Sequence, residues 1–170
     1  KEIDEEICRM LEIGLLGIKL HPDFQYFNID EKSAMELYEV VDNRMPILLH
    51  TGDKRFGYST PSRLANAAKH FTKQKFIAAH FGGYSEWDDS IKYLSELENV
   101  YVDTCSSLAF ITPQEAKTYI DAFTEDRVFF ATDYPMWNPS DEIERINRID
   151  LTETAREKIF YKNICKFLSI

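Results

Sequence analysis

Short apolar runs alternate along this chain with longer stretches in which apolar residues recur every three or four positions. Ile3, Ile7, Met10 and Leu11 share one face of an opening helix. Gly14 stops it, and Gly17-Ile18-Lys19-Leu20 predicts a short strand before Pro22 breaks the pattern. Asp30 is placed to cap a helix containing Met35, Leu37, Tyr38 and Val41. Pro46–His50 is the second strand. Thr60-Pro61 joins an N-cap to a proline at the first helical position, and that helix runs to about His70. Phe76–His80 is the third strand. It leads through Gly82-Gly83 to Ser85, a candidate cap for a helix with Ile91, Leu94 and Leu97. Asn99–Thr104 is the fourth strand, and Thr112-Pro113-Gln114-Glu115 is a capping box that opens the next helix. Val128–Asp133 is the fifth strand, Asn138-Pro139 opens a helix, and a last helix from about Thr152 carries Ala155, Ile159, Phe160, Ile164 and Leu168.

Five strands each followed by a helix, with no repeat, low-complexity tract or linker, predict one α/β domain over residues 1–170. Two architectures fit. A doubly wound five-stranded open sheet suits the length; a (β/α)8 barrel normally needs roughly 250 residues, so only part of one fits here. No GxGxxG or GxxxxGK[ST] loop follows a strand, which counts against the nucleotide-binding open sheets.

Composition narrows the partners. The chain has 170 residues, long enough for one real core, and a formal net charge of −9. That charge disfavours nucleic acid and anionic membranes as ligands. No apolar stretch reaches bilayer length. Cys8, Cys105 and Cys165 are odd in number and widely spaced, which suits a reducing cytoplasm better than a disulfide framework.

Three of the apolar runs end in a potential metal ligand: His50, His80 and Asp133. Parallel strands covered on both faces share one carboxyl edge, where ligands and catalysts gather. Two imidazoles and a carboxylate there make a hydrolytic metal site, in a chain with only four histidines. Each has a plainer reading. His50 can bond a neighbouring backbone, and His80 can fix its loop, or hold and deprotonate a metal-bound water instead of binding the metal. The Gly82-Gly83 pair permits a tight turn and close approach of a substrate. Asp133 after Phe129-Phe130-Ala131 is costly to bury unpaired, so a metal or a basic partner is expected beside it; its plainer reading is an N-cap-like aspartate that orders the loop before Pro135. Lys19 and His21 have the same parity on the first strand and are candidate substrate-binding residues. Lys19, if carboxylated, could bridge two metals; otherwise it snorkels, and His21 anchors the loop. His70, among Lys69, Lys73 and Lys75, reads as a solvated surface histidine. Asp103 and Cys105 read as packing residues, Trp137 as a pocket wall and Trp87 as core.

Together these residues resemble the amidohydrolase superfamily, in its amidohydrolase-related branch of hydrolases and decarboxylases. The matching segments are Gly17-Ile18-Lys19-Leu20-His21-Pro22-Asp23, Leu49-His50-Thr51-Gly52, Ala79-His80-Phe81-Gly82-Gly83, Val100-Tyr101-Val102-Asp103-Thr104 and Ala131-Thr132-Asp133-Tyr134-Pro135-Met136-Trp137, with Lys162-Asn163-Ile164 in a closing helix. Their order along nearly the whole chain is more specific than any one of them. The resemblance implies a (β/α)8 barrel in which this chain supplies strands four to eight. It makes His50 the strand-five ligand, His80 the strand-six histidine and Asp133 the strand-eight aspartate. The family's first-strand HxH motif does not occur here. The missing N-terminal strands are therefore expected from the same or another chain, with a homo-oligomer as a further possibility.

The implied activity is metal-dependent hydrolysis of a small amide, ester or lactone. One or two divalent ions, zinc being expected, lower the pKa of bound water toward ~7. Asp133 takes the water's proton and passes it to the leaving group, His50 holds the metal, and His80 holds metal or stabilises the oxyanion. Nonoxidative decarboxylation on the same site is the first alternative. A phosphodiesterase or deoxyribonuclease is the second, and an inactive fragment serving as an assembly subunit is the third.

Overall fold

The computed structural model describes residues 2–170. Helix α1 (Glu2–Glu12) precedes strand β1 (Ile18–Leu20), short helix α2 (Pro22–Gln25) and α3 (Lys32–Val41). Then come β2 (Ile47–Leu49), α4 (Pro61–His70), β3 (Phe76–Ala78), α5 (Trp87–Leu94), β4 (Val100–Asp103) and α6 (Pro113–Phe123). A 3-10 turn (Glu125–Arg127) leads into β5 (Val128–Phe129), followed by α7 (Pro139–Asn147), α8 (Glu153–Glu157), a π-turn (Lys158–Lys162) and α9 (Asn163–Leu168).

All four strand pairs are parallel and the sheet order is β1-β2-β3-β4-β5. This order decides between the two architectures. A right-handed crossover that always steps to the next strand in the same direction keeps every crossover helix on one face. A doubly wound sheet must reverse its order once to cover the second face. The sheet does not reverse, so it is a length of barrel wall.

Burial follows the two faces. Ile47, Leu49, Phe76, Ala78, Val100, Val102 and Val128 face the helices and are fully buried. The concave face carries one row in register, Lys19, Leu48, Ile77 and Tyr101. Lys19 is exposed, and Leu48 and Tyr101 are half-buried. From α9, Phe167 packs edge-on against Tyr101 and Phe129 of that face, 4.6 and 5.1 Å away. The π-turn closes the free edge of β5, where Ile159 O accepts the Phe130 N–H at 2.8 Å. Asn163, in the expected closing segment, donates from Nδ2 to Glu125 O and Val128 O and pins α9 to the start of β5.

Helix starts follow their caps. Thr60, Asn138 and Thr152 each accept a backbone N–H from the first turn, and Thr112 with Glu115 forms the reciprocal box. Two expected caps are displaced by one residue. Glu31, not Asp30, precedes α3; the Asp30 carboxylate instead accepts from Arg63 and Asn66 of α4. Glu86, not Ser85, precedes α5, because Ser85 sits at φ +60° in the turn. Among the described residues, no helix is long and apolar enough to cross a membrane.

Candidate active site

The carboxyl ends of β1 to β5 share one rim, and each turns off the sheet in a way that aims a polar side chain at its neighbours. After β2, His50 is followed by Gly52 at φ +78°. A Cβ there would lie 2.6 Å from the backbone of Gly83 and Tyr84, so only glycine lets the loops after β2 and β3 close backbone to backbone. After β3, His80 and Phe81 take left-handed φ of 64° and 51°, sparsely populated for such residues. Asp103 compensates: its Oδ1 accepts the His80 N–H at 2.9 Å and its carbonyl accepts the Phe81 N–H at 2.7 Å. The Gly82-Gly83 pair differs from the expectation. A Cβ on Gly82 would strike the Ser90 side chain, and one on Gly83 the Glu86 carbonyl. Protein, not substrate, fills the space beside these glycines.

The side chains form a directed chain of hydrogen bonds. The His80 Nδ1 lies 3.0 Å from Cys105 O. A carbonyl only accepts, so Nδ1 carries the proton. In the neutral ring, Nε2 is then an acceptor, and it lies 2.8 Å from His50 Nδ1. His50 therefore donates from Nδ1, and its Nε2 is left with a lone pair. That Nε2 is buried without a hydrogen-bond partner, as are His21 Nδ1 and Asp23 Oδ1 beside it. Asp23 is 2% exposed; Ser59 Oγ–H donates to its Oδ2, and that oxygen lies 3.5 Å from His50 Nε2. His21 stacks on His50 with centroids 4.0 Å apart and on Phe24 at 3.9 Å. These rings hold the His50 plane.

Asp133 stands on the other side of His80. It ends β5's extension at φ +56° and is exposed to solvent. Its Oδ2 accepts from Ser106 Oγ at 2.7 Å, and Ser106 Oγ in turn accepts from Trp137 Nε1 at 3.1 Å. Donor atoms of His80, Cys105 and Asp133 lie within 4.8 Å of one another, as do those of His21, Asp23 and His50. The two clusters meet at the His50–His80 hydrogen bond. Of the three expected ligands, His50 and His80 touch directly; Asp133 joins His80's cluster.

Electrostatics separate the roles. Burial, then the neighbouring His80 and His21, lowers the His50 pKa to about 3. Burial and the nearby Lys19 lower His21, and burial raises Asp23 against the opposing Ser59 hydrogen bond. Burial, reinforced by Asp103, pushes the Cys105 thiol well above its ordinary range. Cys105 is thus a thiol that donates to Asp103 Oδ1 at 2.8 Å. Cys105 and Asp103, expected to pack, hold His80. Trp87 is half-buried and donates from Nε1 to the His80 carbonyl at 3.1 Å. Lys19 stays exposed near His21 and His50, and Trp137 packs edge-on against Phe110 at 5.7 Å. His70 is exposed, as expected.

The depressed His50 pKa has a stability consequence in metal-free protein. Between about pH 3 and pH 6.5 the unfolded chain protonates this histidine and the folded chain does not. Stability therefore rises with pH across that window, by up to about 1.4 kcal/mol per pH unit for this group. Urea midpoints measured in EDTA from pH 4 to 7 should climb more steeply for the wild type than for His50→Gln. Equal slopes would remove His50 as the source.

Three residues of the site were not singled out in the sequence: Asp23, Ser59 and Ser106. An aspartate just inside a proline-led helix start is ordinary first-turn chemistry. Only the pairing of β1 with β2 brings it under His50.

Comparison with known proteins bears on the same features. Residues 1–170 match the model of a family described as Amidohydrolase. An uncharacterised TIM-barrel protein from Bordetella bronchiseptica superposes with a TM-score of 0.85 at 20% identity, covering 97% of this chain and 61% of that one. A dihydroxybenzoic acid decarboxylase from Polaromonas sp. JS666, with bound manganese and 2-nitroresorcinol, gives 0.75 at 19% identity, covering 98% and 64%. A manganese complex of 5-carboxyvanillate decarboxylase from Novosphingobium aromaticivorans gives 0.74 at 18%, covering 99% and 60%. The comparison with curated proteins gives no match. The chain spans about three fifths of the length of these three structures. At these identities the likeness establishes a barrel fold, of which this chain is a part.

Proposed function

Since this chain belongs to the amidohydrolase family, matched along its whole length, we propose that it carries the catalytic rim of a metal-dependent decarboxylase acting on a small, aromatic carboxylate. The observation that carries the reading is the buried, partnerless Nε2 of His50, aimed by His80 at a carboxylate. Imidazole nitrogen and carboxylate oxygen are donors that fit a divalent ion such as zinc or manganese, and neither needs a thiolate. When bound, such an ion supplies Lewis-acid polarisation of a substrate oxygen.

The chain's own groups supply the rest. His80, with both ring nitrogens committed, positions His50 rather than reacting. That is the role in which an outer hydrogen bond fixes a ligand's tautomer. Asp133, open to solvent and oriented by Ser106, carries the proton. In decarboxylation the C–C bond breaks, its electron pair stays on the ring carbon, that carbon takes the proton from the Asp133 carboxyl, and carbon dioxide leaves. Lys19, His21 and Trp137 border the same rim and are the proposed substrate contacts, Lys19 for the carboxylate. Two similar barrels named as decarboxylases, each with manganese, support this choice over hydrolysis. In the hydrolytic reading, Asp133 would take a proton from water and pass it to a leaving group.

The test is a panel of hydroxybenzoates and small esters and lactones, assayed with added manganese or zinc and with EDTA. Carbon dioxide release that EDTA abolishes supports the proposal. EDTA-sensitive ester or lactone cleavage without carbon dioxide would make the protein a hydrolase. No turnover and no bound ion would favour the assembly-subunit reading.

A further inference from the structure

We propose that Glu142 and Arg145 of α7 are positioning residues for Asp133, acting through Trp137 and Ser106. The inference rests on the reading of Asp133 as the proton carrier; Glu142 and Arg145 are new to it.

Glu142 is a carboxylate in an unusual place. It sits in the first turn of α7, yet its side chain is only 1% exposed. One oxygen pairs with Arg145, a turn further on, and the other, Oε2, is buried without a hydrogen-bond partner. A buried carboxylate with one oxygen left over is a cost to stability even when the first is paired. The same helix shows the ordinary alternative. Glu144 and Arg148 form an i,i+4 pair with side chains 76% and 66% exposed, a solvated contact of little weight. Helix stability asks for no more than that. What the buried pair adds is a guanidinium fixed in one place.

That place is the face of an indole. The Arg145 guanidinium carbon lies over the Trp137 ring, 5.3 Å from its centroid. Phe110 meets the same indole edge-on at 5.7 Å. A cation over the face and a ring set perpendicular to it leave the indole plane little freedom. The plane sets where the single indole N–H points, and it donates to Ser106 Oγ at 3.1 Å. A hydroxyl has one proton. With Oγ accepting from Trp137, Ser106 turns that proton to Asp133 Oδ2 at 2.7 Å. Asp133 is exposed, so packing does not fix its rotamer; the hydrogen bond from Ser106 does. The proton that Asp133 carries is then directed to Oδ1. Each link is directional: Glu142 holds the guanidinium, the guanidinium the indole, the indole the hydroxyl, and the hydroxyl one oxygen of Asp133.

The experiment is nuclear magnetic resonance of nitrogen-labelled protein, paired with kinetics. The chain has two tryptophans, Trp87 and Trp137, so two indole N–H signals are expected, and Trp137→Phe identifies one of them. Glu142→Gln keeps the side-chain shape and removes its charge. It should shift the Trp137 indole signal and the Ser106 and Asp133 amide signals, and leave Trp87 in place. Glu144→Gln, which removes an exposed charge from the same helix, should move none of them. Arg145→Lys keeps the ion pair with Glu142 and loses the planar guanidinium, so it should reproduce the Glu142→Gln shifts. On a substrate that the protein turns over, Glu142→Gln should lower kcat roughly 10-fold with KM little changed, within the roughly 10²-fold that ~1 Å of misplacement costs. Added to Trp137→Phe, it should cost little more, because the two changes break one line. Its thermal midpoint should stay level or rise, since a buried charge is gone. Unmoved Trp137 and Asp133 signals in Glu142→Gln and Arg145→Lys overturn the proposal. So do equal shifts in Glu144→Gln, a kcat loss that adds in full to that of Trp137→Phe, or a midpoint that falls along with kcat, which would make Glu142 a structural support. The spectra need no turnover, so coupled signals in a protein that releases no carbon dioxide refute only the decarboxylase reading.

Discussion

Asp133→Asn protein should keep its divalent ion and lose turnover by about 10²- to 10⁴-fold, the range expected when a positioned acid or base is removed. Asparagine is nearly isosteric with aspartate. Its amide oxygen can still accept from Ser106 Oγ, so the loop geometry and the Trp137 contact survive. What is lost is a group that gives up and regains a proton. The fall should appear in kcat far more than in KM, because the side chain acts on the reacting carbon and not on substrate affinity. Asp133→Glu should recover part of the rate. The measurement is steady-state kinetics paired with metal analysis of the same sample. Loss of the ion along with activity would make Asp133 the ligand that the family resemblance implies, and unchanged kcat would remove it from the chemistry.

That prediction turns on a distinction the sequence does not make. His50, His80 and Asp133 are legible as site residues because each ends an apolar run, and a polar group at a strand end has few roles that leave it satisfied. Their division of labour is not legible. It depends on which carbonyl lies against His80 Nδ1, and that carbonyl belongs to Cys105, twenty-five positions away. Asp23 is hidden for a similar reason: its neighbours in sequence explain it as a helix-start acid, and only the β1–β2 register puts it under His50.

The fold was legible in its elements and less so in their arrangement. Helix starts at Thr60-Pro61, Thr112-Pro113 and Asn138-Pro139 were readable because capping is local chemistry. The strands were expected to run to His80 and Asp133, but β3 ends at Ala78 and β5 at Phe129. The left-handed backbone at His80 is held by Asp103, a contact that no propensity records. Length alone favoured the open sheet. The sequential strand order overrules it, as the resemblance to barrels implied. Site and architecture are linked here. A barrel wall brings the ends of neighbouring strands side by side, so residues that follow β2, β3 and β4 can share one hydrogen-bonded chain.

Phe76→Ala should be the most damaging single change to stability, at about 3–5 kcal/mol, against a total of roughly 5–15 kcal/mol for a domain. Phe76 opens the middle strand, is fully buried, and lies in register between Ile47 and Val100. Its ring meets Tyr38 of α3 edge-on at 5.3 Å. Truncation leaves a cavity walled by two strands and a helix, which rigid neighbours fill poorly. Chemical denaturation should show a lower midpoint with an unchanged slope, the mark of a loss of stability without a change in the surface exposed on unfolding. The effect should also reach the rim, because β3 leads directly to His80. A loss under about 1 kcal/mol would mean that the helix–sheet interface collapses onto the gap, contrary to the close packing of this wall.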